Sequence, residues 1–343
     1  MKPQNFAILL VATVLSLAVA LTAYVTHRPW SSASGTAEAM LPSLKPNESK
    51  VAAIEINQGS KIVKVTDKNG KWVIATQEDY PANTETVRKL LLAASDAKLV
   101  ERKTAKKDKL GLLGLNDPTV AGASSRLIRF LNDKGSPIGE IVAGNKKSDA
   151  FGVNKNGTYV RRPDKDQAWL ADRSIDATAD IKVWANARVV DVPTNTIKTV
   201  TVEVAGEPAY TVERDNNDRN NFKLSQMPAG KKLKYVNSVD EIVESASYVD
   251  FQNVRKATAA SGTMQDKGKA TFETDNGLKV ELDLKSDGTH AWVTVKPSGT
   301  GDDGKKAADA MSQLVNGWEF EIPPAKVTSL TKKQADLLED TGS

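Results

Sequence analysis

The sequence predicts an α+β protein: an N-terminal transmembrane helix, then two similar lobes of antiparallel sheet with helices on one face. Three observations predict it. Phe6 to Val25 is an uncharged apolar run, and about twenty helical residues span about 30 Å, the hydrocarbon thickness of a bilayer. From Val51 onward, short alternating segments are separated by Asn-Gly and Asp-Gly turns. Finally, a strand-strand-strand-helix order with matching apolar spacing occurs twice, starting at Val51 and at Ile197, which is the mark of an internal duplication.

The apolar run has two readings. Phe6 to Leu17 followed by Ala18-Val19-Ala20 fits a secretory signal with its small-residue box. Apolarity continues past that box to Val25, which favours an uncleaved anchor over residues 1–26, with Tyr24 and Trp30 near the outer interface. Either reading places the bulk of the chain outside the cytoplasm. Residues 27–50 carry Pro, Ser, Gly and Ala without a sustained period and are expected to form a flexible tether.

The first lobe is expected over 51–195. Ile54 and Ile56 share one strand face, Lys61 to Val65 alternates again, and Asn69-Gly70 turns the chain into a strand with Trp72 and Ile74. A helix follows Tyr80-Pro81, capped by Asn83 or Thr84, with Val87, Leu90, Leu91 and Ala94 on its apolar face. A meander then runs through Leu127–Phe130, Ile141-Val142, Tyr159–Arg161 and Trp169-Leu170.

The second lobe is expected over 196–343. Ile197, Val200 and Val202 repeat the spacing of Val51, Ile54 and Ile56. Tyr210 and Val212, then Phe222 and Leu224, supply the next two strands. Ser238 with Glu241 three residues on predicts a capping box for a helix bearing Val239, Ile242, Val243 and Ala246. Meander strands at 270–273, 280–284 and 291–295 follow, with helices at 307–315 and 332–339.

The totals exclude several function classes. Among 343 residues, 47 basic side chains face 43 acidic ones, for a net charge of +4. That balance gives no support for a nucleic-acid partner. With no cysteine, disulfides, zinc-thiolate sites, thiol catalysis and lipid attachment at cysteine are all ruled out.

Motif searches mostly end in bland readings. Gly299 to Lys305 fits the G-x-x-x-x-G-K spacing, but Lys306 stands where a phosphate loop needs a hydroxyl, and Asp302 and Asp303 would repel phosphates. A flexible loop is expected there, with no nucleotide. The two histidines, His27 and His290, lack the partners that metal or nucleophilic chemistry needs. Asp215 to Asn221 is rich in oxygen ligands but departs from calcium-loop spacing at Arg219, so a hairpin loop is preferred. Lys103, Lys106, Lys107 and Lys109 surround Asp108 and lack interleaved aromatics; a solvated helix end is preferred to lipid or polyanion binding. No catalytic, cofactor or metal residue is assigned, and the chain is expected not to be an enzyme. Tyr80, Tyr159, Trp169, Trp184, Trp292 and Trp318 either pack in the core or line a groove between the lobes.

The chain resembles a bacterial envelope family, domain of unknown function 4340. The resemblance rests on the V-x-x-I-E-I strand at Val51, Gly70–Ile74, Tyr80-Pro81 before a V-x-x-L-L helix, and Glu101–Thr104. It continues in Leu113-Gly114-Leu115 with Asp117-Pro118, Tyr159–Arg162 and Ala168–Leu170. It implies a single-span inner-membrane protein with its bulk in the periplasm, and protein partners in an ABC-type transport or envelope-assembly complex. The alternative is a periplasmic glycan- or lipid-binding module using a cleft between the lobes. Tyr80, Tyr159, Arg161, Trp169, Trp292 and Trp318 are the candidate ligand or partner surface.

Overall fold

The computed structural model describes residues 37–215, 221–257 and 264–341, together with Thr13, Ser16, Leu17, Val19 and Thr22. The anchor expected at Phe6–Val25 lies, those five positions apart, outside the described residues. Among the described residues no helix is long and apolar enough to cross a membrane. The rest is a mixed α+β protein built on antiparallel sheets.

The first sheet has ten strands: β1 (Glu38–Ala39), β2 (Ala53–Gln58), β3 (Lys61–Lys68), β4 (Lys71–Ile74), β5 (Tyr80–Pro81), β6 (Lys98–Arg102), β7 (Arg126–Leu131), β8 (Pro137–Lys147), β9 (Gly157–Arg161) and β10 (Ala168–Ala171). β11 (Arg188–Asp191) follows the first sheet in chain order and belongs to neither large sheet. The second sheet is built from β12 (Ile197–Val204), β13 (Tyr210–Arg214), β14 (Phe222–Leu224), β17 (Asn253–Lys256), β18 (Gln265–Thr274), β19 (Leu278–Ser286), β20 (Ala291–Gly299) and β21 (Trp318–Ile322). Short pairs join β11 to β16 (Tyr248–Asp250), and β15 (Lys231–Leu233) to β22 (Leu338–Asp340).

Strand order is the informative feature. The first sheet contains the run β4-β3-β2-β7-β8-β9-β10-β6, extended by β5 at one end and β1 at the other. The second sheet runs β14-β13-β12-β18-β19-β20-β21-β17. The two orders correspond strand for strand.

Helices cover the apolar face of each sheet. In α1 (Thr84–Asp96), Val87, Leu90 and Ala94 are buried in the same cluster as Ile54, Ile56 and Phe130. Asn83 caps this helix, its Oδ1 accepting from the Glu85 and Thr86 amides at 3.0 and 3.2 Å. In α4 (Asp240–Ser247), Ile242, Val243 and Ala246 join Val200, Val202 and Phe272. Both sets belong to one continuous apolar cluster. The Asn69-Gly70 turn has positive φ at both residues, 57° and 81°, the geometry a two-residue hairpin requires.

Five expectations are corrected. Residues 38–50, assigned to the tether, are packed: β1 pairs with β6, and Met40, Leu41 and Leu44 are buried. Three apolar side chains in a Pro- and Ser-rich stretch show no period, yet they suffice to fix it to the core. The boundary at 195 is crossed as well, because β11 pairs with β16 of the second half. The capping box does not form, since the chain enters α4 through a 3₁₀ turn at Val236–Ser238, so Val239 is already helical and Ser238 Oγ donates to the Tyr235 carbonyl instead. Residues 332–339 form only the short helix α7 (Gln334–Leu337) before the chain pairs as β22.

The fifth correction concerns Gly299–Lys305. In place of a flexible loop, residues from Gly301 begin the long helix α5 (Gly301–Val315). A Cβ on Gly304 would sit 2.6 Å from the backbone carbonyl of Gly277, and one on Gly299 would sit 2.1 Å from the Gly304 oxygen. The glycines let the helix start press against the β18–β19 turn. Gly304→Ala is therefore expected to destabilise the fold by about 1–3 kcal/mol through overpacking, read as a lowered urea midpoint with unchanged slope.

Candidate functional site

Alternation along a strand gives each sheet a second face, and the first sheet buries part of it. Leu127, Val142 and Ala168 point away from the main core and form a smaller cluster with Leu110 and Leu115, against which Leu113 and Tyr159 pack. Leu110 ends the short helix α2 (Lys107–Leu110), and Leu115 follows a 3₁₀ turn over Gly111–Leu113. Residues 104–124 thus make a flap across the outer face. The crossing is close. A Cβ on Gly144 of β8 would meet the Leu113 carbonyl oxygen at 2.3 Å, so only glycine admits the flap backbone there.

Arg161 pins this flap. It is only 9 % exposed, yet no carboxylate pairs with it among the described residues. Its Nε donates to the Leu115 carbonyl at 3.0 Å, Nη1 to the Pro163 carbonyl at 3.0 Å, and Nη2 to the Asn116 carbonyl at 3.5 Å. The neighbouring Arg162 donates through Nη2 to Glu38 Oε1 at 2.8 Å. Consecutive arginines therefore hold the flap and the first strand.

The remaining candidates scatter. Tyr159 lies with Arg161 under the flap, whereas Trp169 packs against the main core. Tyr80 is fully buried where the halves meet, edge-on to Trp318, Phe251 and Phe320 at 5.0, 5.6 and 6.0 Å between ring centroids. Its hydroxyl donates to the Leu314 carbonyl at 3.4 Å, and burial pushes its pKa up, so it stays neutral. Trp184, also considered, is buried and donates through Nε1 to the Thr178 carbonyl at 2.8 Å. Trp292 faces the other way on the second sheet, with the Arg255 guanidinium 3.9 Å from its ring centroid. Arg255 in turn pairs with the buried Glu319 at 2.9 Å, which Lys285 also reaches at 3.2 Å. The six residues of the candidate surface thus occupy four places, and only two pairs, Tyr80 with Trp318 and Tyr159 with Arg161, come together.

Two features were missed by sequence reasoning. One is an open groove of about 620 Å³ on the outer face of the second sheet, lined by residues including Glu203, Glu207, Asp266, Lys269, Asp283 and Lys285. Most of its charges are already paired, Lys269 to Glu203 at 3.4 Å and Lys333 to Glu207 at 2.6 Å. The other is Tyr248, which carries Lys326 Nζ 3.7 Å and Arg188 Cζ 5.6 Å from its ring centroid. Burial, together with Arg188, pushes the Lys326 amine down to about 8, against the pull of Asp250. Neither charge pattern has a sequence signal, because the partners lie far apart along the chain.

Among the described residues no group of three His, Asp or Glu side chains is placed to hold a metal ion. His290 sits in a hairpin where Asp287 Oδ1 accepts from the Thr289 and His290 amides at 2.8 and 2.7 Å, which holds the Asp287 carboxyl below the usual range. The calcium-like stretch lies largely outside the described residues; its ends close where the Asp215 amide donates to the Asn221 carbonyl at 2.9 Å.

A family model described as domain of unknown function (DUF4340) matches residues 72–274, more than half of the chain. The chain belongs to that family. No curated protein and no solved structure matches it. The family match covers the flap, Arg161 and the start of the second sheet, so the flap is a feature of the family region of this chain.

Two outcomes follow. Arg161→Ala leaves the flap carbonyls without their donor, so hydrogen exchange over residues 106–118 should speed up by about tenfold or more, at ~1.5–3 kcal/mol for hydrogen bonds to a charged group. Arg161→Lys should rescue little, because one ammonium cannot span carbonyls that the planar fork reaches together. For Lys326, the folded pKa lies below the ordinary value of 10.5. The unfolded chain then holds more protons between about pH 8 and 10.5, and stability rises with pH across that window. Urea midpoints of Lys326→Met should exceed the parent's at pH 7 and converge with it toward pH 10.5.

Proposed function

We propose that this chain is a membrane-anchored periplasmic accessory subunit, acting through protein contacts with an ABC-type transport or envelope-assembly complex. The observation that carries the reading is the uncharged run Phe6–Val25, joined by a short tether to a large folded body. Membership of the DUF4340 family agrees with it through the resemblance described above. We infer also that the body arose by internal duplication. The strand-for-strand correspondence of the two sheets supports this, as does the placement of Phe130 opposite Ile54 and of Phe272 opposite Val200. The glycan- or lipid-binding alternative has less support, because Tyr80, at 1 % exposure, offers no free aromatic face between the halves.

Two measurements test the reading. Alkaline phosphatase fused at the C-terminus should be active in cells, while green fluorescent protein at the same position should stay dark; the reverse pattern overturns the periplasmic placement. Purification in mild detergent from native membranes should bring down transporter subunits in fixed ratio, and a protein that always emerges alone overturns the accessory role.

A further inference from the structure

The flap has an outer surface as well as an inner one. Leu110 and Leu115 face inward, but Leu112 is 78 % exposed. α2 and the following 3₁₀ turn run on without a break in helical backbone, since Leu110 and Gly111 both have right-handed φ and ψ. Lys106 immediately precedes α2, Lys109 lies within it and Leu112 lies in the turn that follows; all three are exposed, whereas Leu110 is buried. Lys103 pairs with Glu101, and Lys107 reaches Asp166 at 3.8 Å. Lys106 and Lys109 form no ion pair among the described residues. Between Lys103 and Leu113 four lysines stand against one aspartate, Asp108.

An exposed leucine with unpaired lysines close by in the chain is well matched to one environment: the boundary of an anionic bilayer, where apolar groups enter the acyl region and ammonium groups meet phosphates. The position of the flap fits. β1 pairs antiparallel with β6, Glu38 opposite Leu99 and Ala39 opposite Lys98, and β6 leads at Arg102 into the flap. Arg161 and Arg162 hold the flap and Glu38 from adjacent positions. The stretch from Val25 to Ala37, fully extended, reaches about 40 Å. That reach is long enough to let the edge that bears Glu38 and the flap approach whatever Phe6–Val25 is embedded in.

We propose that the flap is a membrane-contact element, in which Leu112 inserts at the lipid boundary and Lys106 and Lys109 engage anionic headgroups. This rests on the anchored reading above and sets the orientation of the body on its tether.

The chain lacks cysteine, so single labels are unambiguous. Full-length protein carrying Ala105→Cys or, as a control on the second sheet, Thr289→Cys would be labelled with a fluorophore. It would then be reconstituted into phosphatidylcholine vesicles containing nitroxide-headgroup lipid, with or without phosphatidylglycerol. Strong quenching at 105 and little at 289, dependent on phosphatidylglycerol and reversed by salt, is the expected result. Leu112→Ser should reduce it, and Lys106→Gln with Lys109→Gln should cut it by about tenfold or more, at roughly fivefold per lysine. All three positions are exposed, so folding is spared. Equal quenching at 105 and 289, or indifference to Leu112 and to phosphatidylglycerol, overturns the proposal. A carbonate wash separates the two readings: protein stripped from the vesicles overturns the anchor, whereas quenching at 105 before the wash decides the flap in either case.

Discussion

Everything else in the body depends on one shared apolar cluster that neither sheet completes alone. Side chains from β2, β7 and α1 meet those of β12, β18 and α4 in a single cluster, and Tyr80 sits at its junction. Tyr80 leaves the edge strand of the first sheet and is surrounded by Phe251, Trp318 and Phe320 of the second half. Edge-to-face geometry adds to burial, about 0.5–1.5 kcal/mol per pair beyond area. A hydrogen bond crosses the same junction, the Lys256 amide donating to Glu78 Oε2 at 3.3 Å. The two sheets thus share one core, joined where Tyr80 of the β5 edge packs against Phe251, Trp318 and Phe320.

With inner faces spoken for, the outer faces distinguish the halves. Across the first sheet one row reads Asn57, Leu127, Val142, Arg161 and Ala168, taken from the strand registers. The row at the same place in the second sheet begins Glu203, Lys269, Asp283 and Thr294. Beyond Asn57 the first row is apolar with a single guanidinium, and the flap covers it. The other alternates in charge and faces the open groove. The connections explain why. β6 reaches β7 through more than twenty residues, long enough to cross the sheet, while β17 reaches β18 through fewer than ten. A long connection made an apolar outer row affordable; a short one left charges as the stable solution, each exposed pair contributing little on its own.

That contrast also decides what could be read from the chain. Strand positions, the Asn69-Gly70 turn and the Asn83 cap were legible because each depends on neighbours a few residues apart. The flap was legible in principle. Leu127-Ile128 and Ile141-Val142 break alternation with adjacent apolar residues, and such pairs mark strands covered on both faces. What covered them lay in a stretch whose lysines drew attention away from Leu110 and Leu115. The packed segment from Met40 to Leu44 was hidden for a related reason: aperiodic contacts leave no pattern to detect. Ser238 and Glu241 had the right spacing for a box, but spacing does not specify the backbone that precedes it, and a 3₁₀ turn had already made Val239 helical. Of the candidate surface, Tyr80 and Trp318 meet where the halves pack, while the pairing of Trp292 with Arg255 required knowing the strand register.

The glycine stretch before α5 shows how one spacing can arise from two causes. A phosphate loop uses glycine so that amide groups can turn inward around an anion. Here the glycines yield to another backbone: Gly304 lies against Gly277, and Gly299 against Gly304. The Thr300 amide, which a bound anion would need, already donates to the Gly277 carbonyl at 2.9 Å. Placing a phosphate there would mean breaking that bond and bringing Asp302 and Asp303, both in the first turn, toward like charge. The same residues that imitate a ligand site are thus engaged in closing the turn between β18 and β19 against the helix, and the acidic pair is already favourably placed at the positive end of the helix dipole.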